Sequence, residues 1–389
     1  MEKPTSDPGA QQPGKRNNTM STSKRVVMIV CIVLAALVLV GGIAFAAVYF
    51  YLDSQINEGD AGQLTSDVVT TAPEMKEKVV HYLVCGIDYD ADDDGRDYGE
   101  GQGMTDVILY VSLDVEKNTM NVLQIPRDTY VGEQAPTGGT CKINAVYSHG
   151  ADAANRISNL AKLLNDQFQL PVDHYVTIDM AAFKSLLNVL GGIEMYVPWD
   201  IVQKDKTTGE ETLVAEQGVH KISGETAELI LRNRNYSQAD YKRLETQQYF
   251  YKALFSTFKS FPMSDVIKVM PGFITYVNTD MNVGDMLSFA STVMGMESAD
   301  IGFVRCPGGP VTRLNTATSR PEACYGINRE NLAALLNDHF RPYVDPVAAD
   351  SLGLPLIPEE DFTLGQTNEA LHSMDALDTE PSANSAEGE

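Results

Sequence analysis

Cations are the scarce class in this chain. Its 389 residues include 29 lysines and arginines against 53 aspartates and glutamates, a formal charge of −24. So acidic a balance excludes a nucleic-acid binder, because a phosphate backbone demands basic surfaces. It also makes any cluster of arginines informative, since an anionic substrate would have to be met by local cations or a metal. Cysteine is scarce too: five residues are too few for a disulfide scaffold. Cys31 falls in an apolar run and Cys85 in a predicted buried strand, leaving Cys141, Cys306 and Cys324 as loop residues. Cys306 and Cys324 bracket the stretch CPGGPVTRLNTATSRPEAC, and sequence alone leaves open whether they are bridged. No internal repeat is evident.

What is present falls into five stretches. Residues 1–25 are polar, lack apolar periodicity and are expected to be a disordered cytoplasmic tail. Residues 26–52 carry no charge and are dominated by Val, Ile, Leu and Ala, long enough to cross a bilayer. Lys15, Arg16, Lys24 and Arg25 precede that run while Asp53, Glu58 and Asp60 follow it, which places the amino terminus in the cytoplasm and the remainder outside. Ala44-Phe45-Ala46 resembles a signal cleavage site, but the run is longer than a signal core and continues past it, so an uncleaved anchor is the expectation. Residues 53–78 read as a polar stalk, 79–346 as the folded domain with its core at 79–260, and 347–389 as an acidic, disordered tail.

With 43% hydrophobic residues the chain can bury a substantial core. VVHYLVCGID is a near-continuous apolar run of the kind a central strand shows, and DVILYVSLD and TMNVLQIP are the next two strands. Helices are expected over 153–168, 181–190, 223–231, 240–259, 283–296 and 329–340, with strands at HYVTID, IEMYVP and 302–305 between them. The alternation argues an α/β fold: a central mixed β-sheet flanked by helices on both faces, one extracellular domain behind a single transmembrane helix.

Chemistry is concentrated where these strands end. Pro126 stops a strand and Arg127-Asp128 follow at once, a place where α/β proteins put active groups. Asp88 ends one strand and Asp106 begins the next, so the two carboxylates could converge on a hard cation. Arg232 and Arg234 stand two apart after a helix, while Asp240, Arg243 and Gln247 share one face at the start of another. Around one metal, Arg127, Arg232, Arg234 and Arg243 would bind and neutralise a pyrophosphate, since planar guanidiniums grip phosphate oxygens in pairs. DADDDGRDYGEGQG opens like an EF-hand loop at Asp90, Asp92, Asp94 and Gly95. Gly101, however, stands where the bidentate acid belongs, so the stretch reads as an acidic insertion.

Taken in order, LVCGIDYD, GMTDVILYVSLD, IPRDTYV, KINAVY, LGGIEMYVP, LRNRN and DYKRLETQQ resemble the LytR-CpsA-Psr family of cell-wall enzymes over about Val79 to Ser260. The resemblance implies an outward-facing, membrane-anchored phosphotransferase using Mg2+. Its activity would move an anionic glycopolymer from an undecaprenyl-pyrophosphate carrier to peptidoglycan. It further implies metal ligation by Asp88 and Asp106, and carrier contacts from Arg127, Arg232, Arg234, Arg243 and Gln247, with Lys142 and Asn144 of the KIN block in support. On the residues themselves, Asp128 or Asp240 could either accept the acceptor's proton or serve only as a structural partner of a neighbouring arginine. Three departures stand out. Met104 occupies the place of an arginine, Thr246 that of a second, and Gln124 that of a serine, with Arg96 in the insertion the one substitute at hand. A non-catalytic sensor or scaffold that binds prenyl pyrophosphate, and a lipid pyrophosphatase, are the alternatives. Met180, Phe183, Leu186, Leu187 and Leu190 read as core packing rather than as a lipid groove.

Overall fold

The computed structural model describes residues 49–54, 61–88, 103–204, 208–233, 239–262, 265, 277–366 and 370–375. The chain divides into two units, Met1–Tyr51 and Leu52–Glu389, and the second holds the folded domain. Of the apolar run only residues 49–52 are described, and no helix among the described residues is long and apolar enough to cross a membrane.

The domain is built on a seven-stranded sheet. Its strands are β1 (Val79–Asp88), β2 (Met104–Asp114), β3 (Thr119–Gln124), β4 (His174–Asp179), β9 (Val277–Thr279), β10 (Ile301–Arg305) and β13 (His372–Ser373), in the order β13-β10-β3-β2-β1-β4-β9. β1 runs antiparallel to β2 and parallel to β4, and β3 runs parallel to β10, so the sheet is mixed. Side chains alternate across each strand and both faces are covered. On one face Leu83, Cys85 and Tyr110 pack with helices α1 (Arg156–Phe168) and α6 (Arg329–His339) through Leu160, Phe168 and Leu336. On the other, Tyr82, Val111 and Met120 meet α2 (Met180–Val189), α3 (Gly224–Arg232), α4 (Ala239–Ser260) and α5 (Val283–Gly295). Leu187 is fully buried there and the Phe183 ring lies tilted against Phe250, centroids 5.4 Å apart, the packing role expected of that stripe. Ser223 caps α3 by accepting from Thr226 N, satisfying a donor the first turn leaves open.

Several expectations need correction. IEMYVP does form a strand, β5 (Ile193–Val197), but it pairs with β8 (Gly218–Ile222) in a separate ribbon, and β6 (Ile201–Lys204) pairs with β7 (Glu211–Ala215) in another. The Gly-Pro-rich stretch read as a loop is the hairpin β11 (Gly308–Asn315) and β12 (Arg320–Ile327). Pro310 and Pro321 are tolerated because a two-stranded ribbon leaves outward-facing positions that need no N–H. No disulfide joins Cys306 to Cys324: Cys306 lies in the main core, and Cys324 in a small separate cluster with Val311 and Phe362.

Residues 61–78, expected as a stalk, belong to the fold. Ala61 is fully buried, and Gln63, Thr65 and Val69 donate backbone N–H groups to Asn155, Ser158 and Asn165 on or beside α1. The expected tail likewise packs as far as Asp375, with Leu352, Leu354, Phe362 and Met374 all buried and β13 closing the sheet. A few well-spaced apolar residues suffice to dock such segments. The acidic insertion at 89–102 lies outside the described residues.

Candidate functional site

β1 and β3 both run antiparallel to β2, so the carboxyl ends of β1, β3 and β10 share one sheet edge with the amino end of β2. Asp106 reaches that edge by an irregularity. Gly86 pairs with Val107 and Ile87 with Thr105, which leaves Asp106 as the extra residue of a β-bulge, re-aimed out of the ladder's alternation. Gly86 allows it, since a Cβ there would lie 3.1 Å from that of Val107.

Beyond Pro126 the chain turns, Thr129 N donating to Pro126 O, and the segment is held on both sides by backbone bonds and isolated bridges. Arg127 O and Thr129 O accept from Asn144 N and Ile143 N, and Val131 N donates to Cys141 O. On the opposite side Tyr325 N of β12 donates to Asp128 O, and Tyr325 O accepts from Tyr130 N. The clamp brings Asp106, Arg127, Asp128 and Lys142 together from three separate segments. Arg127 Nη1 donates to Asp106 Oδ2 at 2.6 Å, Arg127 Nε stands 3.5 Å from Asp128 Oδ2, and Lys142 Nζ lies 3.2 Å from Asp128 Oδ1. These side chains are 16 to 22% exposed, dry enough to strengthen their pairing and open enough for a ligand to reach them. Burial works against the charge on Lys142, but Asp128, with Cys324 and Glu322, outweighs it and holds the ammonium above the usual lysine pKa. Burial pushes the neighbouring Cys324 thiol up to about 11, so it stays protonated at neutral pH.

Glu322 of β12 is a member of this group that sequence reasoning missed. Its Oε2 lies 3.7 Å from Lys142 Nζ, and no local pattern in a stretch read as loop marks it. The pair between Gln124 and Gln247 is the second omission. Gln124 Nε2 donates to Gln247 Oε1 at 2.9 Å, and Gln247 Nε2 reaches the carbonyl of Leu231, next to Arg232, at 3.5 Å. Gln247 therefore stands beside Gln124 at the end of β3 and links α4 and the end of α3 to the sheet edge. Met104, the departure from the family pattern, accepts from Asn144 Nδ2 through its sulfur at 3.7 Å.

The other expected residues are placed only in part. Asp88 closes β1 opposite Met104, two positions from Asp106 along β2. Arg232 ends α3, and Asp240 and Arg243 lie in the first turns of α4, but their side chains are outside the described part, as is all of Arg234. A crevice of about 10 Å³ lined by Asp106, Gln124, Pro126, Arg127, Gln247 and Tyr251 opens beside the Asp106–Arg127 pair. A much larger basin, about 800 Å³, lies beside α1, but its carboxylates Glu133, Asp152 and Asp166 do not suit an anion. Chemically, the sheet edge offers fixed cations interleaved with carboxylates, an arrangement that can grip phosphate oxygens and a hard metal together.

The chain and its fold have counterparts. The chain is 28% identical over 330 residues, 82% of its own length and 78% of the relative's, to the polyisoprenyl-teichoic acid–peptidoglycan teichoic acid transferase TagV of Bacillus subtilis (strain 168). It is 25% identical over 175 residues, 44% of this chain and 53% of the relative, to a transferase of the same description, TagU, of Bacillus mycoides (strain KBAB4). The crystal structure of B. subtilis TagV superposes with a TM-score of 0.53 at 26% identity, covering 67% of this chain and 95% of that one. TagT bound to LIIa-WTA superposes with a TM-score of 0.52 at 18% identity, covering 77% and 99%, which speaks to the fold alone. The sequence signature of the LytR_cpsA_psr family spans residues 48–339, most of the sequence, and the chain belongs to that family.

Proposed function

We propose that this chain is a membrane-anchored phosphotransferase that moves an anionic glycopolymer from an undecaprenyl-pyrophosphate carrier to peptidoglycan outside the cell. The observation that carries the reading is the run of alternating charges, Asp106, Arg127, Asp128 and Lys142, at the carboxyl edge of the sheet. The names of TagV and TagU supply the substrate class by analogy. The uncharged run at 26–52 with basic residues ahead of it supports the anchor and an outward-facing domain.

Asp88 and Asp106 suit Mg2+, which needs only one or two carboxylates when phosphate oxygens and waters complete the octahedron. Among the described residues no group of three or more Asp, Glu, His or Cys is placed to hold a metal ion, and Asp88 and Asp106 stand on adjacent strands. When bound, the ion supplies charge neutralisation to the diphosphate. Arg127 would exchange part of its contact with Asp106 for the incoming phosphate oxygens, and Lys142 would add a second cation. Both oxygens of Asp128 already face cations, which suits it to orienting Arg127 and Lys142. A peptidoglycan hydroxyl would form a bond to the polymer-side phosphorus and pass its proton to solvent water as the bond to the lipid phosphate breaks, releasing undecaprenyl phosphate. Charge in the transition state spreads over the equatorial oxygens, where fixed cations are most effective.

The test is transfer of a lipid-linked glycan to peptidoglycan by the full chain in magnesium. The expected result is polymer joined to the wall with loss of activity in Asp106→Ala; a variant with full turnover would overturn the assignment. Release of lipid phosphate to water alone would mark a pyrophosphatase, and binding without release a carrier-binding protein.

A further inference from the structure

We infer that the β11–β12 hairpin is a strut for the catalytic edge, and that Glu322 is a positioning residue that holds Lys142 against the substrate's phosphate. The inference rests on the function proposed above and concerns the same site. The bland account is a half-exposed ion pair, and a contact at 3.7 Å with a carboxylate 36% exposed would by itself be worth little. The hairpin, however, grips the site at several separate points.

Tyr325 on β12 takes both main-chain bonds that Asp128 and Tyr130 offer on their side, so the hairpin fixes the backbone that carries Asp128. Just past β11, Thr316 N donates to Gly139 O at 2.8 Å, just before the segment that carries Lys142. The approach there is so close that a Cβ on Gly139 would sit 2.7 Å from Ala317 N. Between these grips stands Glu322. Asn315 Nδ2 donates to its Oε1 at 2.8 Å, which orients the carboxylate so that Oε2 faces Lys142 Nζ. The ammonium is thus bracketed, Asp128 on one side at 3.2 Å and Glu322 on the other at 3.7 Å.

A lysine is a point charge on a flexible four-carbon stem, so its usefulness at a phosphate depends on what confines it. With one carboxylate the ammonium can collapse onto Asp128. With two it is held between them, 18% exposed. The groups facing it are Asp128 from the turn after Pro126 and Glu322 and Cys324 from β12.

The experiment compares wild type, Glu322→Gln, Glu322→Asp, Lys142→Met and the Lys142→Met/Glu322→Gln double variant in full-length protein. Turnover is read with a lipid-pyrophosphate-linked glycan and peptidoglycan. Independently, the Lys142 titration is read by NMR after 13C reductive methylation. The expected outcome is a roughly fivefold loss of kcat/KM in Glu322→Gln, partly restored in Glu322→Asp, at unchanged melting temperature. The alkaline limb and the Lys142 titration should both move to lower pH. In the Lys142→Met background the second substitution should add no further loss, because the two act as one unit. Additive losses, or a Lys142 titration unmoved by Glu322→Gln, would overturn the inference. Wild-type protein that transfers nothing while the titration still responds to Glu322 would overturn the functional reading and leave the coupling standing.

Discussion

Two aspartates in this molecule sit among basic groups and do opposite work. Asp173 is 1% exposed, and its oxygens accept from Thr71 N, Thr71 Oγ1 and His81 N, with Lys76 3.4 Å away. Its donors are mostly backbone, fixed before any ligand arrives, and they tie residue 71 to β1 and to the start of β4. Asp128 is 16% exposed, and its oxygens are met by the side chains of Arg127 and Lys142, which can turn to something else. A carboxylate satisfied by main chain is part of the fold, whereas one satisfied by cationic side chains at a strand end is part of a site.

That contrast makes predictions of decreasing size. Arg127→Ala should lower transfer on the order of a hundred- to a thousand-fold while the unfolding midpoint in denaturant stays near that of wild type. A stability loss large enough to explain the drop would place Arg127 with Asp173 instead. Asp173→Ala should do the reverse, costing about 3 kcal/mol of stability in denaturant titration because buried N–H groups lose their acceptor, with kcat unchanged in the folded fraction. Acid should expose the part Asp173 plays in the fold. Burial opposes the Asp173 charge, yet the bonds from His81 and Thr71 hold its pKa well below the usual carboxylate range. The stabilisation it provides is therefore complete above about pH 4 and drains away as pH falls further, so the acid dependence of stability should weaken in Asp173→Asn. The smallest effect is Thr71→Val, expected to cost about 1 kcal/mol by removing one hydroxyl donor, readable as a shift of a few degrees in melting temperature.

The same contrast explains what could be read from the sequence. The strand at 79–88 announces itself by an unbroken apolar run, and Pro126 followed by Arg127-Asp128 marks a strand end, because both signals are local. α4 and Gln247 were legible for the same reason, their spacing being set by one helix. Glu322 and the Gln124–Gln247 pair were not, since each depends on a partner brought over only by tertiary folding. The bulge at Asp106 left no mark beyond Gly86, and a single glycine in a strand has many readings. The hairpin at 308–327 was hidden by Gly308, Gly309, Pro310 and Pro321, which punctuate loops far more often than ribbons. Residues 61–78, 347–366 and 370–375 looked polar overall, yet a handful of buried side chains and hydrogen bonds to α1 and the sheet hold them.

The central claim is that a diphosphate binds where Asp106, Arg127 and Lys142 converge. A crystal structure of the chain soaked with a prenyl pyrophosphate and magnesium tests it directly. The account predicts diphosphate density within about 3 Å of the Arg127 guanidinium and beside Lys142, with the metal on Asp88 and Asp106. Density in the carboxylate-lined basin beside α1, with that edge still closed by its ion pairs, would contradict it.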